Sequence, residues 1–101
     1  MTEPATKKTY YEMTAYQKSR ESILIKGKLF LSSYEKIGEK GNVEFYLGKD
    51  LNEQNLFIIR EVTVTKFKKG KEEVPIENCD LFITRITPNV AKILKEQFSS
   101  S

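Results

Sequence analysis

Two clusters join lysine to aromatic carbon at spacings that could grip a phosphodiester chain. One is the run Lys66, Phe67, Lys68, Lys69 and Lys71 in the segment TKFKKGK. The other is Lys26, Lys28 and Phe30, which fall on one face of an extended segment by period two. Ammonium groups meet phosphate oxygens and ring faces take up bases by stacking, which is how basic grooves hold single strands without reading their sequence. Tyr46, as a further stacking ring, and Arg60, as a further cation, complete the candidate set. Plainer readings stand beside both clusters. A basic hairpin turn is ordinarily solvated, with its lysines guarding a sheet edge. Lys26 and Lys28 can equally lay their stems over apolar surface. Arg60 beside Glu61, and Arg85, also read as members of cross-strand ion pairs.

The rest of the composition narrows the chemistry. There is no histidine, and Cys79 is the one cysteine. Ser-His and Cys-His pairs are therefore excluded, and zinc or haem would lack ligands. No glycine-rich phosphate loop, nucleophile elbow or metal-ligand spacing occurs. The expectation is a non-enzymatic protein without metal or small-molecule cofactor, in which Cys79 is a small buried hydrophobe. Lys+Arg is 17 against 14 for Asp+Glu, a formal net charge of +3 that decides nothing, so the placement of the lysines carries the argument. A lone cysteine gives no sign of an oxidising compartment. The first residues are polar, unlike a secretory leader. No apolar run approaches the roughly 18 residues of a membrane span. The expected setting is the cytoplasm, or a host's cytoplasm for a viral protein, with no membrane partner.

The elements that must position the lysines follow from periodicity. At 101 residues and 39% apolar content the chain suits one domain with a modest core. A flexible tail is expected over residues 1–9, the domain over 10–98 and a frayed end at 99–101. The firmest strand is in residues 56–71 (LFIIREVTVTKFKKGK), apolar and β-branched at first and basic at its end. Its core face should hold Ile58, Val62 and Val64, with Phe57 and Ile59 on the other side. Residues 68–73 read as a hairpin turn in which Gly70 supplies positive φ. Residues 22–34 form another strand, with Ile23, Ile25, Leu29 and Leu31 toward the core and Gly27 marking a bulge or a close backbone approach. After a charged turn over residues 35–41, a strand over 42–48 puts Val43, Phe45 and Leu47 inward and Glu44 and Tyr46 outward. Residues 74–80 read as irregular around Pro75, and residues 81–86 as a fourth strand. Thr87 caps a C-terminal helix with Pro88 at its first position, and Val90, Ile93, Leu94, Gln97 and Phe98 follow at helical spacing. Over residues 10–21 a capping-box spacing (Thr9, Glu12) favours a short helix, and an ordered but irregular arm fits as well. The predicted fold class is α+β: a curved antiparallel sheet of about four strands with a C-terminal amphipathic helix. An OB-like barrel is the structural alternative.

These stretches resemble the positive cofactor four family of transcriptional coactivators, small single-stranded-DNA-binding proteins with bacterial and phage relatives. In that family a strand carrying an Ile-Arg-Glu-aromatic run leads through a charged, glycine-containing turn, and a later strand ends at a Thr/Leu-Pro/Ser start to a closing helix. The similar stretches here are Phe57-Ile58-Ile59-Arg60-Glu61-Val62, then Lys68-Lys69-Gly70-Lys71, then Ile86-Thr87-Pro88 into Lys92-Ile93-Leu94-Lys95-Glu96-Gln97-Phe98. An earlier family strand looks like Ile25-Lys26-Gly27-Lys28-Leu29-Phe30. Val62 stands where the family has an aromatic, and residues 34–55 would be an added hairpin. The resemblance covers about half of the chain. It implies a homodimer built on the C-terminal helix (Val90, Ile93, Leu94, Phe98), and single strands crossing basic strand faces.

Two functions follow as expectations. The first is a single-stranded nucleic-acid-binding protein, DNA before RNA, acting in replication, repair or transcription. Its contacts would be Lys26, Lys28, Arg60, Lys66, Lys68, Lys69 and Lys71 to phosphates, and Phe30, Tyr46 and Phe67 to bases. The alternative is a small protein-interaction module or inhibitor, viral or plasmid-encoded, pairing through an exposed strand edge.

Overall fold

The structure is a computed structural model that describes residues 10–100. The expected tail over residues 1–9 lies outside the described residues. Among the described residues five strands precede one helix: β1 Tyr11–Lys18, β2 Ile23–Lys40, β3 Val43–Asp50, β4 Asn55–Lys69, β5 Glu72–Arg85 and α1 Pro88–Ser99. The strands close into a barrel in chain order, with β5 returning to β1. Every neighbouring pair is antiparallel, including the closing one. Five is odd, so alternating directions cannot close a ring unless a strand changes course between its partners. β2 does so. It pairs with β1 up to Leu31 and with β3 from Leu31 onward, and register shifts fall opposite Ala15/Tyr16 and at Leu31/Ser33 and Lys36/Gly38. Such bulges bend a strand and increase its twist.

Tight turns set the register of the two long hairpins. Gly41 (φ 62°) and Gly70 (φ 66°) are the first residues of the two-residue loops 41–42 and 70–71. Glycine enters that left-handed region without the Cβ clash, and its place at the first central position is the pattern of a type II′ turn. Between β3 and β4 the Asp50 carboxylate accepts from the Asn52 and Gln54 amides at 2.8 and 3.0 Å.

The core is small. Leu31, Leu47, Leu56, Ile58 and Cys79 are its buried members. Met13, Leu29, Tyr46 and Leu81 pack around Leu31, Leu56 and Ile58 inside the barrel. A second apolar layer lies outside it, where Phe98 of α1 packs on Phe45 at 4.8 Å and Phe57 at 6.3 Å between ring centroids. Helix α1 starts as expected, with the Thr87 hydroxyl accepting from the Val90 amide at 3.2 Å. No helix among the described residues is long and apolar enough to cross a membrane.

Several expectations are corrected. The sheet has five strands rather than four. The added one is β1, over residues for which a short helix was one reading; alternation at Tyr11, Met13 and Ala15 and a full ladder to β2 outweigh three thinly spaced apolar positions. Residues 35–40 extend β2 instead of forming a turn, and residues 74–80 belong to β5. Pro75 is tolerated because it lies opposite Lys66 where β4 is its strand's one ladder neighbour, so its missing N–H breaks no second ladder. The barrel alternative matches the closure but not the order, since consecutive strands are neighbours all the way round instead of following a Greek key. β3 is covered on both faces. Phe45 lies beneath α1, and Tyr46, expected outward, packs in the barrel interior.

Candidate nucleic-acid interface

Strands β4 and β5 run on together past the point where β1 stops pairing. β1 meets β5 only at Tyr16–Cys79, Gln17–Asn78 and Lys18–Glu77. Beyond this seam the β4–β5 ribbon continues through Thr65–Ile76 to Lys69–Glu72 as a free two-stranded arm. Its sequence alternates, so its lysines divide. Lys66 and Lys68 share a face with Val64, and Phe67 and Lys69 take the other, while Lys71 sits in the turn. None of these four lysines makes an ion pair within 4 Å among the described residues.

The turn joining β1 to β2 stands beside this arm. Between them lies a groove of about 430 Å³ lined by Arg20, Leu24, Phe67, Lys69, Val74 and Ile76 among others. Phe67 is 49% exposed and offers its ring to the groove. Arg20 reaches Glu72 at 3.6 Å across the groove, and both side chains are well exposed. Such a pair contributes little to holding the two walls together. On the opposite face of the arm, Lys18, Arg20, Val64 and Pro75 line a second hollow of about 450 Å³.

The lysines of β2 are placed differently. Lys26 is paired with Asp80 of β5 at 2.5 Å, and Lys28 approaches Glu12 of β1 at 3.8 Å. Phe30 stands beside Tyr10 with centroids 5.8 Å apart. Lys28 is opposite Thr14, four residues of β1 away from the Lys18 end that adjoins the arm. That separation is roughly 13 Å along a strand. The two predicted clusters therefore share one protein but not one continuous free-charge surface: among the described residues the β2 lysines are ion-paired and the arm lysines are not.

Tyr46 and Arg60 lie elsewhere again, at the open mouth of the barrel. Glu44 accepts from Arg60 Nη1 at 2.9 Å, the Tyr46 hydroxyl at 3.0 Å and Lys36 Nζ at 3.2 Å. Burial pushes the Glu44 carboxyl up, but the hydrogen bonds from Tyr46, Lys36 and Arg60 outweigh it and hold the group below its ordinary value. Burial and the bond to Glu44 push the Tyr46 phenol up. The Tyr16 hydroxyl donates to Glu77, which together with burial raises its pKa as well. Cys79 is buried and its thiol is pushed up by burial, as a structural rather than a reactive cysteine.

Sequence reasoning found the arm's lysines and Phe67 but missed the groove's other wall, Arg20 and Leu24. It also missed Val74 and Ile76. Period-two alternation in residues 11–18 and 72–76 carries the signal for the missing strand segments, and Pro75 masks the second. Among known proteins, the chain matches no family model, no curated protein and no solved structure.

Proposed function

We propose that the protein binds single-stranded nucleic acid through the β4–β5 arm and the groove beside it, DNA before RNA, as a non-enzymatic factor in replication, repair or transcription. The observation that carries this reading is the unpaired lysine set Lys66, Lys68, Lys69 and Lys71 on an arm that also exposes Phe67. Phosphates would lie along the lysines on both faces of the ribbon, and a base would stack on Phe67 over the apolar floor of Leu24, Val74 and Ile76. Lys26 and Lys28 would contribute only by leaving Asp80 and Glu12, so they stand second to the arm. A homodimer through α1 would use Val90 and Ile93, which are exposed, because Leu94 and Phe98 are turned toward the protein's own sheet. We place the protein in the cytoplasm, where a reduced cysteine is the ordinary state.

The test is fluorescence anisotropy with a labelled single-stranded oligonucleotide over a salt series, with a duplex of the same sequence alongside. Four phosphate contacts correspond to a log–log slope of about −3 for a single strand. Absence of binding at low salt, or a salt-independent signal, rejects the proposal. Tighter binding of the duplex would make the arm a groove-reading ribbon instead.

A second reading rests on a different observation. Among the described residues, residues 81–85 of β5 have β4 as their one ladder partner, and Phe82 and Ile83 there are exposed. A partner protein could add a strand at this edge. A stoichiometric protein partner that survives nuclease treatment of a lysate would favour it.

A further inference from the structure

Strand β5 keeps one side open once β1 leaves it at the Tyr16–Cys79 pair. The ladder fixes which backbone groups stand on that side. The Ile86 amide donates to the Asn55 carbonyl at 3.0 Å, so Ile86–Asn55 is a hydrogen-bonded pair of the β4–β5 ladder. Such pairs alternate with non-bonded ones. Phe82 and Thr84 therefore turn their N–H and C=O groups to β4, while Leu81, Ile83 and Arg85 turn theirs to the open side. Helix α1 crosses the sheet the other way, where Phe98 lies over Phe57, Phe45 and Gly38. The run is LFITR, with neither the lysine nor the proline that commonly guards an edge. Phe82 is 54% exposed on the outer face, in a row with Ile59 and Phe45, and Ile83 is 46% exposed on the inner face, in a row with Ile58 and Tyr46.

The strand is complementary to itself. A two-fold axis perpendicular to the sheet at Ile83 runs a second β5 antiparallel to the first and keeps inner face with inner face. Ile83 then meets its own counterpart, Leu81 meets Arg85 and Phe82 meets Thr84 of the second copy. Leu81, Ile83 and Arg85 exchange their free N–H and C=O groups, and apolar side chains meet on the axis. The two Arg85 side chains fall at opposite ends of this ladder, about 13 Å apart along the strand and beyond the Debye length of roughly 8 Å. Residues 23–30 of β2 also lack a second ladder neighbour among the described residues. Pairing that stretch with itself about Gly27 sets Lys26 against Lys28, and like charges directly opposite each other destabilise a ladder.

We infer that the chain forms a two-fold dimer in which β5 pairs with β5 of a second copy over residues 81–85. The inference rests on the reading of this edge as a docking edge and names its occupant; it does not depend on the arm. The pairing consumes the edge on both copies, so assembly stops at two. The test is sedimentation equilibrium of the full chain up to about 1 mM, the weak end of specific association. The wild type should approach the mass of a dimer. Ile83→Lys and Ile83→Asp each set like charges on the axis and should weaken self-association at least about tenfold, and an equimolar mixture of the two should restore it. Hydrogen exchange of the wild type needs no substitution: the Leu81, Ile83 and Arg85 amides should slow as concentration rises, with Phe82 and Thr84 protected throughout. A chain that stays monomeric, assembly beyond two, or exchange at Ile83 that ignores concentration overturns the inference. Loss of the dimer in Ile93→Lys with Ile83→Lys unaffected also overturns it, by placing the interface on α1. A monomer that still captures a nuclease-resistant protein partner through β5 would remove the second copy and leave the docking edge standing.

Discussion

The two ends of the β4–β5 ribbon are built from one pair of strands and behave as opposites. Near its base, Leu56 and Ile58 are buried inside the barrel, and Phe57 is covered on the other side by Phe98 of the helix. At its far end, Val64 and Phe67 are exposed and lysines occupy both faces. The base has layers on both sides, and the arm has only the β1–β2 turn beside one face. The difference shows where folding free energy resides. Apolar area leaves water at the base, while the arm is held by its own ladder and turn, so its side chains are free to meet something else.

The largest test of this contrast is Ile58→Ala against Phe67→Ala. Ile58 has no exposed surface, so truncation should cost about 2–5 kcal/mol in chemical denaturation. The Phe67 change should stay within about 0.5 kcal/mol. Equal losses would mean that the arm is part of the core. Next comes replacement of Lys66, Lys68, Lys69 and Lys71 by Gln, which should leave the unfolding midpoint nearly unchanged. It should flatten the salt dependence of oligonucleotide affinity by about 0.7 per lysine that meets a phosphate. An unaltered slope would locate the binding surface elsewhere.

Glycines give a finer comparison. A Cβ on Gly38 would lie 2.7 Å from Phe98 Cδ1, under the helix. Gly38→Ala should cost about 1–3 kcal/mol, toward the lower end if the Phe98 ring leans away. At Gly27 the same Cβ meets nothing within 4 Å, so Gly27→Ala should be neutral to slightly stabilising in thermal melts. The smallest effect concerns pH. Folding lowers the Glu44 pKa, so the group binds fewer protons in the folded state than in the unfolded one. Its contribution is present above the unfolded value of 4.5 and is lost as pH falls through the folded value. Glu44→Gln should therefore flatten the acid limb of the stability curve below about pH 5 while changing little in its slope near neutrality.

Much of this architecture is legible in the residues. The β-branched run at Leu56 marks a strand, Gly70 a turn, and Thr87-Pro88 a helix start, each through a local preference that acts within a few positions. The arm's lysines and Phe67 are legible in the same way. β1 was not, because a thin apolar pattern fits several local states until β2 pairs with it. Neither was the side that Tyr46 faces, since β3 is covered on both faces and alternation alone cannot say which face is the barrel interior.

The lysine–aromatic spacing of Lys66 to Lys71 and of Lys26 to Phe30 is a property of the sequence alone, fixed by period two along a strand. Which of those lysines keep a free charge was decided only by tertiary structure. Closing the barrel brings Asp80 to Lys26 and Glu12 to Lys28, while the arm runs past β1 and its lysines make no ion pair within 4 Å among the described residues, although Glu73 and Glu72 lie opposite Lys68 and Lys69 in the ladder. Carboxylates distant in sequence reach a lysine only when strands from different parts of the chain become neighbours. That juxtaposition depends on strand order and register, which no local pattern encodes.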